Sequence, residues 1–310
     1  MGGALRRKAR MIVMDQIAAM QALMRQYRRE GKTIGFVPTM GYLHEGHTSL
    51  IDRARAENDI VVLSVFVNPL QFGPNEDFAR YPRDFERDRR IAEQHGVDVL
   101  FHPEADEMYP EPLTVRAIVQ ARADVLCGRS RPGHFDGVAT VLMKLFNIVM
   151  PDRAYFGMKD AQQVAVVDGL IRDLNFPIEL VPVPTVREAD GLAKSSRNVY
   201  LSPQERSEAP ALYAALQAAA SAVERGERSA AAIRRMVREH IEAHTHAEID
   251  YVEVCSYPDL TPLETLAGTV LIAVAVRFAS ARLIDNIMIE LPKTGEQGYG
   301  KGEQACFARS

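Results

Sequence analysis

Cysteine is scarce in this chain, excess positive charge is missing, and no apolar run is long enough to cross a bilayer. The three cysteines, Cys127, Cys255 and Cys306, are odd in number and far apart, with no CxxC pair. That spacing suggests neither a disulfide framework nor a cysteine zinc site. Lys and Arg number 37 against 41 Asp and Glu, a net charge of −4, so no general field draws the chain to nucleic acid or an anionic membrane. An anionic ligand must be caught by a local cluster. No stretch approaches the ~20 apolar residues of a membrane span. The start, MGGALRRKARMIVMDQ, is basic but has no apolar segment leading to a small-residue cleavage site. The expectation is a cytoplasmic protein with no nucleic-acid or membrane partner.

What is present is the material of a globular core. Hydrophobic residues make up 47% and charged residues 25%, the balance of a folded enzyme or binding protein. With 310 residues the chain suits one large domain or two smaller ones. TIGFVPT (33–39) reads as a buried strand, and HTSLIDRARAEND (47–59) as a helix with Leu50, Ile51 and Ala54 as its apolar residues. IVVLSVFVNP (60–69) is a second β-branched strand, ended by a proline. The same rhythm returns in 89–103, 138–157 and 162–186. Continuous apolar strands joined by helices imply parallel strands buried on both faces. The fold class is therefore α/β, a Rossmann-like doubly wound parallel sheet.

The proline-spaced VPVPTVREADG (181–191) reads as a junction. Beyond it come an alanine-rich helix (209–226), another helix near 229–243 and three strand-like runs (249–260, 269–279 and 281–291). The expected organisation is a larger domain over 1–185, a smaller α+β domain over 186–291, and a polar, Gly-rich, disordered tail over 292–310.

Three motifs invite a functional reading and do not hold it. GEQGYGKG (295–302) has Gly302 where a phosphate loop needs Ser or Thr, and too little chain follows for a helix. LPKTG (291–295) resembles a sorting signal without the apolar segment such signals need. His240 and His244 stand four apart on an expected helix. They lack the glutamate of HExxH, and their polar neighbours favour a solvated helix end.

One stretch is different. In PTMGYLHEGHTSLI (38–51), His44 and His47 stand at the mouth of the 47–59 helix, directly after a strand and a glycine turn. The first turn of a helix offers free N–H groups and partial positive charge, which is the geometry of a phosphate site. Gly41 and Gly46 let the backbone approach closely. Spacing alone leaves two readings open: imidazoles aimed at an anion, or imidazoles capping a helix within the core. Elsewhere, READGLAKSSRNVYLS (187–202) puts Lys194, Ser195, Ser196 and Arg197 in a row. Two cations and two hydroxyls on a loop suit a triphosphate whose charge must be held during displacement, although a solvated loop would look the same. YFGMKDAQQ (155–163) follows an expected strand end, where ligands of open α/β sheets sit, and brings Lys159 and Asp160.

An HxGH turn and a KSSR-type loop flanking such a sheet resemble the nucleotidyltransferase superfamily. Four long motifs narrow the likeness: PTMGYLHEGHTSLI, SVFVNPLQFGPNEDFARYPR (64–83), RPGHFDGVATVLMKLFNIVMPDRAYFGMKDAQQ (131–163) and DGLAKSSRNVYLS. In this order and spacing they resemble the pantoate–β-alanine ligase family over about 12–291. The resemblance implies condensation of pantoate with β-alanine through a pantoyl adenylate, with ATP as co-substrate and Mg2+, in a homodimer.

The resemblance also implies roles. Met40, Gly41, Tyr42, Leu43, His44, Glu45, Gly46 and His47 would line the ATP site, with His47 the family's proton donor. Gly157, Met158, Lys159, Asp160, Val186, Lys194, Ser195, Ser196 and Arg197 would complete the nucleotide contacts. Gln71 and Gln163 match the glutamines that hold pantoate, and Asp88 lies where the family has acidic residues near magnesium. Lys194 departs from the pattern, which more often has an apolar residue there. The chemistry agrees: pantoate's carboxylate must be oriented without being neutralised, which amide donors do and an arginine pair would not. Two other readings remain: a nucleotidyltransferase with another acceptor, such as a phosphopantetheine or nicotinamide-nucleotide adenylyltransferase, and an ATP-binding regulatory module without turnover. The first group lacks the glutamine pair. A full set of substrate glutamines and phosphate cations argues against the second.

Overall fold

A computed structural model describes residues 11–74, 76 and 78–292 of the chain. The basic start, the tail from 293 with its near-match to a phosphate loop, most of LPKTG, and Cys306 lie outside the described residues.

The continuous apolar runs become interior strands. β1 (Ile12–Met14), β2 (Ile34–Thr39), β3 (Ile60–Val65), β4 (Val99–Phe101), β5 (Arg153–Gly157) and β6 (Glu179–Val183) form one six-stranded sheet in the order β1-β4-β3-β2-β5-β6. Every neighbouring pair is parallel. Helices cover both faces, as such runs require. On one face α1 (Ile17–Arg29), α4 (His134–Val149) and α5 (Ala161–Asp173) pack Met20, Met24, Leu142 and Val164 against Phe36, Val62 and Phe101. On the other, α2 (Glu45–Glu57) and α3 (Phe85–Gln94) pack Ile51, Ala54 and Ala92 against Val37, Leu63 and Leu100. Each fully buried Leu or Ile contributes about 1.5–3 kcal/mol. The edge strand β1 and the helix α1 were not expected from the sequence.

The strand order reverses beside β2. The chain runs from β2 outward through β3 to β4, then returns to place β5 on the other side of β2. The crevice beyond the carboxyl ends of β2 and β5 is therefore the switch point where open α/β sheets bind ligands.

The smaller unit holds α6 (Ala211–Glu224), α7 (Ala230–His244) and an antiparallel sheet of β7 (Glu248–Ser256), β8 (Thr269–Arg277) and β9 (Arg282–Glu290). α6 and α7 pack on one face of this sheet through Leu216, Ile233, Val237, Val254 and Ile272. The other face meets the larger unit, where Tyr251, Leu271 and Ala273 join Leu126, Ala161 and Ala165. The His240 and His244 rings stack on each other at 4.4 Å. No group of three His, Cys, Asp or Glu able to hold a metal occurs among the described residues.

Candidate active site

The turn after β2 is shaped by two residues in the left-handed region. Gly41 has φ +81°, and a Cβ there would lie 2.8 Å from Asp88 Oδ2 and 2.9 Å from Val65 Cγ1. Only glycine fits. Tyr42 also has a positive φ, 52°, a conformation that costs a non-glycine residue and must be held by its surroundings. Asp88, in the first turn of α3, does the holding: Tyr42 N–H donates to Oδ2 and Leu43 N–H to Oδ1, each at 2.7 Å. Its side chain is 1% exposed, and burial pushes its carboxyl above the usual range against those two N–H groups. The resemblance set Asp88 near magnesium. In the structure both carboxylate oxygens hold the turn, away from solvent.

His44 and His47 then build the mouth of α2. His44 is the N-cap residue, and its Nδ1 accepts Gly46 N–H at 3.1 Å. His47 answers by accepting His44 N–H on its own Nδ1 at 3.2 Å. The pair forms a capping box of two imidazoles, with ring centroids 4.1 Å apart. Gly46 leaves room for the His44 ring in this position, because a Cβ there would lie 2.8 Å from His44 Cε1. A neutral ring whose Nδ1 accepts carries its proton on Nε2. Burial brings His44 down to about 4, with Lys159 adding to the effect. Burial also holds His47 well below the ordinary imidazole range, helped by His44 and Lys159. Near pH 7 both rings are thus neutral, each with an Nε2–H donor. The two readings left open by spacing are one arrangement: the histidines cap the helix and line a cleft.

Three further walls surround the same cavity of about 240 Å³. Gly157, Lys159, Asp160 and Gln163 come from the end of β5 and the start of α5. Val186, Lys194, Ser195, Ser196 and Arg197 come from the loop beyond β6, and Met40 and Gln71 close the floor beside Asn68 and His134. Gly41, Tyr42, Leu43, Glu45 and Met158 are outside this lining and form its support; Leu43 is wholly buried in the core. Lys194 Nζ is held by Glu188 at 2.8 Å and by Glu45, in the first turn of α2, at 3.2 Å. These carboxylates raise its pKa above the lysine value, Glu188 first.

The sequence did not single out Asn68, Arg131 or His134. Asn68 Nδ2 donates to Gln71 Oε1 at 3.2 Å and to Gly137 O at 3.1 Å, while Tyr109 OH donates to Asn68 Oδ1 at 2.8 Å. This fixes the Gln71 amide with its NH2 toward Met40 Sδ, 3.1 Å away. Gly137 lets α4 approach, since a Cβ there would lie 2.2 Å from Leu70 O. His134 Nδ1 is 2.8 Å from Gln71 O and Nε2 is 3.0 Å from Arg131 Nη1. Burial, then Arg131, brings it to about 4, so its neutral ring donates from Nδ1 to the carbonyl. Arg131 is tied in turn to Glu76 at 2.6 Å. A second cavity of about 730 Å³ shares Lys159, Gln163 and Arg197 with the first and opens between the two units.

An open parallel sheet with an imidazole-capped helix end and a cation-bearing loop at its switch point is the arrangement of an α/β protein that binds a phosphorylated ligand. Comparison with known proteins makes the assignment specific. The family model described as Pantoate-beta-alanine ligase matches residues 12–288. A curated pantothenate synthetase of Geobacillus thermodenitrificans is 87% identical over 287 residues, covering 93% of this chain and 99% of the relative. A solved pantothenate synthetase of Thermus thermophilus superposes with a TM-score of 0.85 at 50% identity, covering 89% of this chain and 99% of that one. A Francisella tularensis pantoate-beta-alanine ligase, described as complexed with beta-gamma ATP and beta-alanine, gives a TM-score of 0.73 at 33% identity, covering 90% and 97%. The chain belongs to the pantoate-beta-alanine ligase family. It is a ligase that forms an amide bond, and its reaction is the ATP-dependent formation of pantothenate.

Proposed function

We propose that the cleft at the switch point carries out this condensation in two displacements, with ATP bound along the mouth of α2. A pantoate carboxylate oxygen attacks the α-phosphorus of ATP, the bond to the β-phosphate bridging oxygen breaks, and pyrophosphate leaves. The β-alanine amine then attacks the acyl carbon, the acyl–oxygen bond breaks, AMP leaves, and the amine loses a proton. The observation that carries this reading is the shared cavity. His44, His47, Lys159 and the 194–197 loop line one space with Gln71 and Gln163.

Each group has a task its chemistry suits. Gln71 and Gln163 orient the pantoate carboxylate by amide donation and leave its charge intact. Gln71 is fixed for this by Asn68. His44, His47, Lys159, Ser195, Ser196 and Arg197 stabilise the charge that moves onto pyrophosphate, with His47 as proton donor. Met40 and Gly157 shape the wall, and Asp160 and Val186 complete the nucleotide side. Magnesium would enter with the triphosphate and be held there by phosphate oxygens and a carboxylate of the protein. Asp160 is the carboxylate lining this cleft. The ion would neutralise phosphate charge.

The smaller unit, 186–291, serves as the lid that shields the acyl adenylate from water over the larger unit, 1–185. A homodimer, which the family likeness implies, would be able to cover Val115 and Ile118, apolar residues 78% and 69% exposed in this chain. A cytoplasmic setting suits the buried free thiols of Cys127 and Cys255. The deciding experiment measures AMP release: it should require pantoate and β-alanine together. AMP release with another acceptor and none with this pair would select a different adenylyltransferase.

A further inference from the structure

β9 touches both phosphate-side segments of the cleft through two consecutive side chains. Asp285, 3% exposed, takes Arg187 in a two-point ion pair, Nη1 to Oδ2 at 2.6 Å and Nη2 to Oδ1 at 2.9 Å. The same guanidinium donates to Gly191 O at 3.0 Å and lies 3.5 Å from the centre of the Tyr213 ring. Arg187 is bridged to Ala193, and Lys194 N–H donates to Val186 O at 2.9 Å. Anchoring Arg187 therefore fixes the root of the 194–197 loop. Asn286, 9% exposed, turns to the other segment: its Nδ2 donates to Met158 O and to Lys159 O, each at 2.9 Å. An amide nitrogen has two hydrogens, and this one uses both on consecutive carbonyls. A carboxylate of the same shape would set oxygen against oxygen.

We propose that Asp285 and Asn286 form a positioning pair that sets where Lys159 stands relative to the 194–197 loop across the pyrophosphate. Neither residue need touch substrate. They act through Lys159 and Arg187, and in doing so they tie seating of the smaller unit to completion of the phosphate site. The proposal rests on the reading of Lys159 as a phosphate-stabilising cation. A displacement of about 1 Å at such a group is enough to cost on the order of 10²-fold in rate.

Removing Asp285 would strand a partly buried arginine charge, so the test falls on Asn286. Single-turnover pyrophosphate release is measured at saturating ATP and pantoate for the wild type, Asn286→Asp, Lys159→Ala and the double variant, with pantoate affinity followed by calorimetry. Asn286→Asp should slow adenylation by on the order of 10–10²-fold while pantoate affinity holds. The double variant should be no slower than Lys159→Ala alone, because the two changes disable one element. Asn286→Ser, which keeps a single shorter donor, should fall between and stands in for Asn286→Asp in the cycle should that protein not fold. Additive losses, or a lower melting temperature with wild-type adenylation, would overturn the positioning role. Wild-type adenylation in Lys159→Ala would remove the reading of Lys159, and this proposal with it. Slow adenylation in Lys159→Ala beside a normal Asn286→Asp would sink the proposal alone.

Discussion

His47 Nδ1 accepts the backbone N–H of His44 at 3.2 Å, while His44 Nδ1 accepts the N–H of Gly46 at 3.1 Å. Two imidazoles thus spend their acceptor nitrogens on the helix end, and Nε2–H is the donor each has left. His47→Ala removes one preorganised donor and one half of the cap together. Adenylation should fall on the order of 10²–10³-fold. Losing the cap should cost on the order of 0.5–2 kcal/mol, leaving the fold intact. Rapid-quench single turnovers and thermal melting check the two parts separately. Near wild-type adenylation in this variant would end the assignment of His47.

Burial gives the same pair a pH signature. His44 titrates at about 4 in the folded chain against an ordinary value of 6.5. The unfolded chain therefore binds the proton first as pH falls. The stability contributed by the neutral ring is complete above about 6.5 and is lost progressively as pH drops to about 4. His47, shifted in the same direction, adds a loss of the same sign. In His44→Gln the melting temperature should fall less steeply than in the wild type across this window, since the carboxylates shared by both proteins cancel in the difference. Parallel curves would show that His44 does not titrate as its burial requires.

Gly46 makes a separate prediction. A methyl group there meets the His44 ring, 2.8 Å from Cε1 and 2.9 Å from Nδ1. The obstacle is a side chain, so the ring can swing away and the chain should still fold. Swinging away breaks the Nδ1 contact and re-aims the Nε2–H. Gly46→Ala should therefore weaken ATP binding and slow adenylation while leaving pantoate affinity nearly unchanged, as calorimetry with each ligand would show. Equal loss for both ligands would point to a disturbed fold instead.

The sheet was legible because its strands are continuous apolar runs: β2 and β3 are buried along nearly their whole length, and such runs have few other homes. β1 was not, because three residues on an edge show no period. The histidine mouth was visible as a local motif. Its two readings could not be separated by spacing, since the same two rings both cap the helix and line the pocket. Residues that act at long range stayed hidden. His134 reaches a carbonyl 63 positions away, and Asn286 reaches carbonyls 127 and 128 positions away. Asp88 was placed near magnesium by resemblance, and only the fold shows its oxygens taken by Tyr42 and Leu43. Lys194 stood out in the resemblance as an unexpected cation, and the structure ties it to Glu45 and Glu188 across the mouth of the cleft.

The order of events follows from which groups are nucleophiles at the start. Pantoate's carboxylate can attack ATP with no amine present, whereas β-alanine has no activated partner until an acyl adenylate exists. ATP, magnesium and pantoate alone should therefore yield pyrophosphate and an enzyme-bound pantoyl adenylate, one per active site. Oxygen-18 placed in the pantoate carboxylate should then appear in AMP once β-alanine is added, because the acyl–oxygen bond is the one that breaks. Attack at the γ-phosphorus would instead give ADP and labelled inorganic phosphate. Mass spectrometry of the nucleotide and phosphate products separates the two routes in one experiment. ADP as the nucleotide product would overturn the adenylate route, and with it the placing of His44, His47, Lys159 and the 194–197 loop around an α-phosphate undergoing displacement.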